Sequence, residues 1–550
     1  MKRFAIYCLF ATAALSYAGC SQDSTEVGVP DGDAIRFSIT VSDSGYSPDR
    51  TATRASENEY ATEFSAGDRA GLYVIAADGS VQQSNVEITA VSDGKGGIAW
   101  NLPVGTTIWH DKGMRYFLYY PYRADMTGMV ATMVPGTTEA EGFFAQLIES
   151  WQPSADQSDY ASYTASDLMV AEASLGAVSE HVVPLDFPMT HCMALVVVEI
   201  PGDLYYITSY NSGKTPCDIG IFIGEKPVFG GDRVPCNMQY RSRFIVRPGE
   251  ELVLSGSYDD TDTQMHHDFL SKVEAADLVA GSYYRIRVDG GIAERTGDYH
   301  ELGLVRIGDL FCPTTDNSDW YLVPHEVEKL ANGDNAVGVV FQTDKRRFGI
   351  AEAEKLGGRN RMHGLVMAVK NVGIEVWGPF RSDEGLTKTQ TKAQNYNDIS
   401  GYYNCEHIRD KYGNFDNYPA FKAADNYNTT CPVPTTTTGW YLPASGQWWD
   451  ILQNLGGCPA LALPDEQISS STNIKWLDQG DIPAAIDKWM TNIADENKTT
   501  FAGSWYWSSS ESSGYSDYGD ARHWYISKDN LYCDPYRKDI PFFVLPVLAF

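Results

Sequence analysis

The sequence predicts a mainly β protein whose C-terminal part is α+β. Over residues 34–291, short apolar runs are separated by Gly, Pro and Asp turns, a pattern typical of antiparallel β-sandwiches. The stretch Gly439–Gly457, GWYLPASGQWWDILQNLGG, instead predicts the end of a strand, a turn and an amphipathic helix. We therefore expect two kinds of unit in one chain.

The front region begins with an alternating strand. In Ile35–Val41 apolar residues alternate with polar ones, which indicates a strand with one buried face. The other strands predicted here are Ala70–Ile75, Val182–Phe187, Met193–Ile200, Ile219–Ile223, Phe244–Arg247, Glu251–Leu254 and Tyr283–Val288.

The rear region mixes strands with helices. After Pro443, Ser445 is placed to cap a helix whose apolar residues Trp448, Leu452 and Leu455 share one face. The glycine pair 456–457 is expected to end it. The other elements predicted here are strands at Val337–Thr343 and His363–Val369, and helices at Tyr402–Asp410, Pro419–Asn426 and Asp481–Glu496.

Length limits the number of domains, and net charge limits the classes of binding partner. The 550 residues suggest three to four domains, or fewer if the β units are large. The formal net charge is −30, which argues against nucleic acid, since its binding rewards basic patches, and against docking on anionic lipid. The composition suits an extracellular surface protein.

The N-terminus predicts export. A charged start is followed by the apolar run Phe4–Leu15, which is too short to span a membrane. Residues 16–20 resemble a lipoprotein signal ending at Cys20, although Tyr17 stands where Leu is usual. We predict a signal peptide at 1–20, palmitate-type lipidation of Cys20 and a polar tether at 21–33, giving an outer-membrane lipoprotein precursor. The alternative is an ordinary secretory peptide with an incidental cysteine.

Eight cysteines remain after the signal region. No CxxC motif and no Cys/His spacing suited to zinc occurs among them. Export permits disulfides, so we expect one or two bridges together with some free buried thiols.

Several rear motifs occur in a characteristic order. GWYLP and the helix are followed by YWSSSE at Tyr506–Glu511, RHWYI at 522–526 and the apolar run Phe542–Phe550. This order resembles the C-type-lectin-like domain that closes many fimbrillin-family pilus proteins of anaerobic Gram-negative bacteria. The resemblance covers roughly 304–550, and formylglycine-generating enzymes share the same fold.

The front motifs carry a second resemblance. The series FSAGDRAGLYV, YFLYYPY, DQSDYASYTASDLMVAEA and HCMALVVVEI is similar to the fimbrillin domain of Bacteroidia-type (type V) pili. The resemblance implies two transthyretin-like β-sandwiches, here at 34–200 and 201–291. It also implies a neighbouring pilin as partner, because stalk subunits of that system receive a strand into an exposed sheet edge.

In the resembled system an arginine-specific protease opens the strand-accepting groove. Arg50 and Arg54 lie in a Ser/Thr/Asp-rich stretch directly after the strand Ile35–Val41. A cut at either residue would remove that strand together with the Cys20 anchor. The alternative is that both are ordinary solvated loop arginines.

The apolar terminal run indicates a place in the pilus. Stalk subunits donate a C-terminal strand, but Phe542–Phe550 resembles the closing strand of the lectin-like domain, where the two domain ends pair. We therefore expect a tip subunit that receives a strand and gives none. A minor accessory subunit lower in the tip complex is the runner-up.

Aromatic residues are the best binding candidates. The calcium-lectin triplets EPN, QPD and WND are absent, and acidic clusters such as Asp517/Asp520 are typical of solvated turns, so we predict no metal site. Tyrosines and tryptophans are dense between residues 501 and 537; Trp507 and Trp524 favour the core. The candidates for contact with an unidentified host or bacterial glycan or protein are Tyr515, Tyr518, Tyr532 and Tyr536.

Two other classes of function remain open. An enzyme of the formylglycine-generating fold needs a matched cysteine pair, and no GxSxG, HExxH or P-loop motif is present, so we predict no catalytic residues and no cofactor. A surface lipoprotein that captures glycan or protein without entering a pilus would keep its lipid at Cys20 and its first strand.

Overall fold

The computed structural model describes residues 36–43, 45–48, 60–61, 63–94, 97–108, 110–126, 139–178, 181–211, 213–238, 240–260, 265–458, 474–512 and 519–550. Strands predominate in these ranges, which confirms the predicted mainly β fold. No helix among them is long and apolar enough to cross a membrane.

The strands are numbered here in chain order. They are β1 (Arg36–Asp43), β2 (Ser47–Pro48), β3 (Arg69–Ile75), β4 (Val81–Ser92), β5 (Ile98–Asn101), β6 (Arg115–Tyr120), β7 (Met169–Glu172), β8 (Ser174–Leu175), β9 (Val182–His191), β10 (Ala194–Glu199), β11 (Gly202–Tyr210), β12 (Thr215–Gly224), β13 (Val228–Phe229), β14 (Cys236–Met238), β15 (Arg241–Val246), β16 (Leu252–Asp260), β17 (Met265–Val273), β18 (Ser282–Arg287), β19 (Ile292–Asp298), β20 (Leu310–Pro313), β21 (Trp320–Val323), β22 (Gly338–Gln342), β23 (Leu365–Ala368), β24 (Gly373–Val376), β25 (Lys388–Thr389), β26 (Ile474–Trp476), β27 (Trp505–Ser512), β28 (Asp520–Ile526), β29 (Leu531–Tyr536), β30 (Pro541–Val544) and β31 (Val547–Ala549).

The α-helices are fewer and, in the second half of the chain, longer. They are α1 (Ala140–Phe143), α2 (Ala145–Ser150), α3 (Tyr160–Ser166), α4 (Ile350–Lys355), α5 (Lys392–Asn397), α6 (Gly401–Tyr412), α7 (Pro419–Thr430), α8 (Ser445–Asn454) and α9 (Ile482–Lys488). Short 3₁₀ turns occur at Ala124–Met126, Ala275–Asp277, Val288–Gly290, Lys345–Arg347, Arg359–Arg361 and Asp495–Asn497.

The contacts divide the chain into two compact units, 1–200 with 225–291 and 201–224 with 292–550. The chain changes unit at residue 200, but the predicted second sandwich, 201–291, is divided between the two units. The strand β10, before that residue, pairs with β15 and β18 after it, so one sheet crosses the predicted boundary. The pair β11 and β12 joins β19 in the second unit instead. The sequence predicted β10, β12, β15 and β18, but a strand's local pattern does not indicate which strand, distant in sequence, it pairs with.

The first unit contains a sheet that closes on itself. Its strand order is β1-β5-β4-β3-β6-β7-β9-β8, and β1 also pairs with β9, so the sheet closes between β1 and β9. An apolar cluster from these strands fills one side. Helices α1 to α3 and the sheet β14-β15-β10-β18-β2 enclose a second cluster, and β13-β16-β17 encloses a third.

Among its described residues, the second unit holds three sheets around one large apolar cluster. The sheets are β12-β11-β19, β21-β20-β22-β23-β31 and β24-β30-β27-β28-β29-β26, with β25 added beside β27. Helix α8 lies in this core and is buried from Ser445 to Leu452. It ends as predicted before Gly457, whose φ of +67° suits glycine.

Two local predictions in the second unit need correction. Ser445 is the first helical residue, and Ala444 precedes it as the cap; the Ser445 amide donates to Ser510 Oγ at 2.9 Å. The helix expected over Asp481–Glu496 is shorter, Ile482–Lys488, although Ile486 and Ile493 are buried as their spacing indicates.

The prediction of one or two disulfides is wrong. All eight cysteines of the described residues are free thiols, and six of them are buried. Buried thiols pack as small apolar side chains, so these sulfurs contribute to the cores without bridging them.

Candidate functional site

Five of the predicted site residues lie outside the described residues. These are Cys20, Arg50, Arg54, Tyr515 and Tyr518. The two remaining candidates, Tyr532 and Tyr536, lie on β29 in the second unit. Two features of the described chain bear on the predicted function: the place of β1 in its sheet and the aromatic face around β29.

β1 fills a slot between β9 and β5. It runs parallel to β9 over eight residue pairs, from Arg36 opposite Val182 to Asp43 opposite Met189. Its contact with β5 is a single antiparallel pair, Ile39 with Trp100. One strand near the N-terminus therefore supplies the backbone hydrogen bonds for one whole side of β9.

The inner face of β1 follows the period of two expected of a strand. Ile39 is buried in the core inside the closed sheet, and Phe37 and Val41 pack partly buried against it. Asp43 continues this face at the end of the strand, and its side chain is only 1% exposed. The slot thus accepts three apolar side chains followed by a carboxylate.

Asp43 belongs to a buried charged cluster. His191, at the end of β9, contacts Asp43 Oδ1 with Nε2 at 3.0 Å and Asp167 Oδ2 with Nδ1 at 2.9 Å. Tyr46 stacks on the His191 ring at 3.8 Å between centroids and donates its hydroxyl to Asp167 Oδ1 at 2.6 Å. Two of the four members therefore come from the segment before Arg50, and two from the body of the unit.

The cluster should make stability depend on pH. Burial lowers the pKa of His191, but the Asp167 and Asp43 carboxylates outweigh burial and raise it to about 10 from an ordinary value of 6.5. The protonated ring therefore stabilises the fold fully below about pH 6.5, and this contribution is lost as the pH rises through about 10. We expect His191→Gln to lower the free energy of unfolding by about 3 kcal/mol at pH 6 and by much less at pH 10.

Urea titrations of wild type and variant at both pH values measure this difference. His181→Asn is the matched control, because His181 is exposed and its positive φ of 61° is tolerated by Asn. An equal loss of stability for His191→Gln at pH 6 and pH 10 would contradict a protonated His191.

The C-terminal strand is held within the second unit. β31 pairs antiparallel with β23, and Tyr441 forms a bridge with Val547 on its other side. The last residue is fixed as well, since Phe550 O accepts from His363 N at 2.7 Å and Phe550 N donates to Gly364 O at 3.1 Å. All four residues of 547–550 are at most 1% exposed.

The pairing of this strand differs from the expectation that the two ends of the rear domain pair. The first strand of 304–550, β20, pairs with β21 and β22, whereas β31 pairs with β23. The contact between the ends is instead made by side chains, with the rings of Phe311 and Phe550 at 5.1 Å.

An aromatic row crosses the outer face of the β27-β28-β29 sheet. Trp505 lies opposite Tyr525, and Tyr525 lies opposite Tyr532, with ring centroids 4.9 and 5.3 Å apart. Tyr536 follows Tyr532 by four residues and shares its face. Trp505 is 47% exposed and Tyr536 46%. We call Trp505, Tyr525, Tyr532 and Tyr536 the aromatic face.

The other aromatic residues of this region belong to the core. Tyr506, Trp507 and Trp524 are fully buried. Trp505 and Tyr525 were not among the predicted candidates, because almost all residues of β27 are buried and no alternation marks its outer face. Alignment of positions 505, 525 and 532 across three strands is visible only in the register.

The buried polar residues of YWSSSE have structural partners. Ser508–Ser512 are fully buried, and Glu511 accepts from the amides of Glu384 and Leu386 at 2.9 and 3.1 Å. The Lys538 ammonium forms an ion pair with Glu511. These contacts attach the segment before β25 to β27, so the motif serves packing rather than chemistry.

The described residues contain no arrangement suited to catalysis by thiol or metal. A nucleophilic cysteine needs a lowered pKa, whereas burial raises the pKa of all eight described thiols. No group of three or more His, Cys, Asp or Glu in the described ranges could hold a metal ion.

Comparisons with known proteins find similarity to fimbrial proteins. Residues 53–215 match the family model described as Fimbrillin-like. The match is to a family of fimbrial structural proteins and not to an enzyme family.

A relative named as a candidate fimbrium tip subunit, Fim1C of Bacteroides ovatus, is 25% identical; the alignment covers 92% of this chain and 91% of the relative. A crystal structure of a fimbrial protein from Bacteroides ovatus aligns over 94% of this chain and 100% of its own, with 22% identity and a TM-score of 0.41. The fimbrial anchor protein Mfa2 from Porphyromonas gingivalis aligns over 46% and 89%, with 12% identity and a TM-score of 0.19.

Proposed function

We propose that the protein is a pilus tip subunit that receives a strand from a neighbouring pilin in place of β1 and presents its second unit for attachment. The observation that carries this proposal is the position of β1. It closes a sheet whose other strands pair among themselves, and it precedes both candidate cleavage residues in the chain. Strand addition at a sheet edge uses backbone hydrogen bonds for affinity and alternate side chains for register.

β9 is suited to being exposed as an edge. It contains Pro184 and Pro188, and proline within a sheet is characteristic of edge strands, because it lacks a ladder donor. Without β1, the inward residues Val183, Leu185 and Phe187 would line an apolar groove. That groove has the period-two pockets that an incoming strand requires.

Proteolysis after Arg50 or Arg54 would release β1. Both arginines follow β2, so either cut separates β1 and β2 from the rest of the unit, together with the proposed lipid anchor at Cys20. In this proposal the lipid holds the precursor at the outer membrane during export, and the cut frees it for assembly.

The tip position is supported by β31. A strand already paired with β23 and buried on all sides is not available for a neighbour without dismantling its own sheet. The relative named as a tip subunit agrees with this position. A minor accessory subunit of the tip complex is the second placement. We retain as proposals the transthyretin-like assignment for the front region, 34–291, and the C-type-lectin-like assignment for 304–550.

The proposal is tested by locating the protein on cells. Immunogold labelling should decorate the ends of pili, and palmitate should label the precursor but not the protein in sheared pili. Protein that keeps its palmitate and stays in the cell envelope would contradict pilus assembly and favour a surface lipoprotein that captures glycan or protein.

The aromatic face is the proposed attachment surface, together with Tyr515 and Tyr518 between β27 and β28. Exposed rings stack on sugar or protein surfaces and dominate interface energetics. We expect Trp505→Ala and Tyr536→Ala to weaken binding at least tenfold on glycan and matrix-protein arrays. Their melting temperatures should change by less than about 2 °C, because both rings are half exposed.

A matched control lies elsewhere in the same unit. Ile350 is 69% exposed and is not one of the residues of the aromatic face, so Ile350→Ala should leave binding unchanged. Unchanged array binding by Trp505→Ala and Tyr536→Ala would remove the aromatic face as the attachment surface.

A further inference from the structure

The slot of β1 selects its occupant by charge as well as by apolar side chains. Its inner face receives Phe37, Ile39 and Val41 and then the Asp43 carboxylate, each two residues after the last. The apolar positions resemble those of any strand that enters a sheet. The fourth position is different, because the side chain there contacts the buried, charged ring of His191.

His191 makes the fourth position selective for a carboxylate. Its Nδ1 contacts the Asp167 carboxylate and its Nε2 contacts both oxygens of Asp43, at 3.0 and 3.1 Å. A carboxylate only accepts hydrogen bonds, so both ring nitrogens donate and the ring is a cation between two anions. Removal of β1 takes away Asp43, and Tyr46 with it, and leaves His191 with Asp167 alone.

We propose that the strand which replaces β1 carries a carboxylate six residues after the first of three alternating apolar residues. This inference rests on the proposed strand replacement. The partner is a strand of the pattern apolar-x-apolar-x-apolar-x-Asp, running parallel to β9, whose acid pairs with His191 Nε2. An apolar residue at that position leaves a buried donor unpaired, which is the costly alternative.

The test uses the full chain with a sequence-specific protease site inserted within 49–59. After cleavage, fluorescein-labelled peptides compete for the slot. The first peptide has the sequence of residues 36–46, RFSITVSDSGY. The second replaces Asp43 by Asn. The third exchanges residues 42 and 43, so that composition and net charge are kept but the carboxylate moves to the outer face of the strand.

We expect the first peptide to bind at least tenfold more tightly than the second or third. In a His191→Gln protein the three affinities should fall within threefold of one another. If the His191→Gln protein does not fold, the binding of the three peptides to the wild-type slot tests the carboxylate requirement by itself. Equal binding of all three peptides to the wild-type slot would overturn the carboxylate requirement and leave strand replacement standing. Failure of every peptide to bind would overturn strand replacement itself, and the carboxylate requirement with it.

Discussion

Joining β1 to β9 by a disulfide is expected to abolish incorporation of the protein into pili. Thr40 and Asp186 are paired residues of the two strands, both exposed, and Thr40 Oγ1 donates to Asp186 Oδ1 at 2.8 Å. Neighbouring strands lie at a spacing that a disulfide can bridge. In the Thr40→Cys, Asp186→Cys protein, β1 would stay in its slot even after cleavage, so no neighbour could enter.

Immunoblots of sheared pili measure incorporation. The double variant should be at background when oxidised and return to the wild-type level when reduced during assembly. Thr40→Cys alone is the control and should assemble normally. Wild-type incorporation of protein shown by mass to carry the disulfide would contradict strand replacement at this slot.

Deletion of residues 547–550 is expected to destabilise the second unit severely. Val547, Leu548, Ala549 and Phe550 are at most 1% exposed, and burial of side chains of this kind contributes about 1.5–3 kcal/mol for each large one. The loss should therefore amount to about 5 kcal/mol or more. Differential scanning calorimetry and limited proteolysis should show a lowered transition and early digestion of 292–550.

A conservative variant separates packing from strand pairing. Phe550→Leu keeps β31 and most of its apolar volume, so its melting temperature should fall far less than that of the truncated protein. Unchanged melting of the truncated protein would mean that β31 is dispensable to its own unit. Such a strand would be free to serve a neighbour, and the tip placement would lose its structural support.

The local pattern predicted strands well where alternation or apolar runs were clear. β1, β3, β9 and β10 lie where the sequence analysis placed them, and so do helices α6 and α7. Burial of one face gives the alternation in β1 and β9, and burial of both faces gives the apolar runs of β3 and β10. The cap at Ser445 was misjudged, because tertiary hydrogen bonds such as that between Ser445 and Ser510 override local capping preferences. The helix after Asp481 was predicted too long.

Partners and sites were harder to predict, because they depend on contacts between distant residues. β1 and β9 are about 145 residues apart, and the sequence of neither strand indicates a parallel pairing with the other. His191 was noticed only as part of a motif, and Asp43 not at all; their contact follows from that pairing. The aromatic face likewise depends on register, which is why Trp505 was missed and only Tyr532 and Tyr536 were anticipated.

The most direct test of the account is the mature N-terminus of the protein in assembled pili, determined by mass spectrometry. The account predicts that the protein begins directly after Arg50 or Arg54 and lacks the β1 sequence, with a strand of another subunit in its place. A mature N-terminus at Cys20, with residues 36–43 still present, would contradict it.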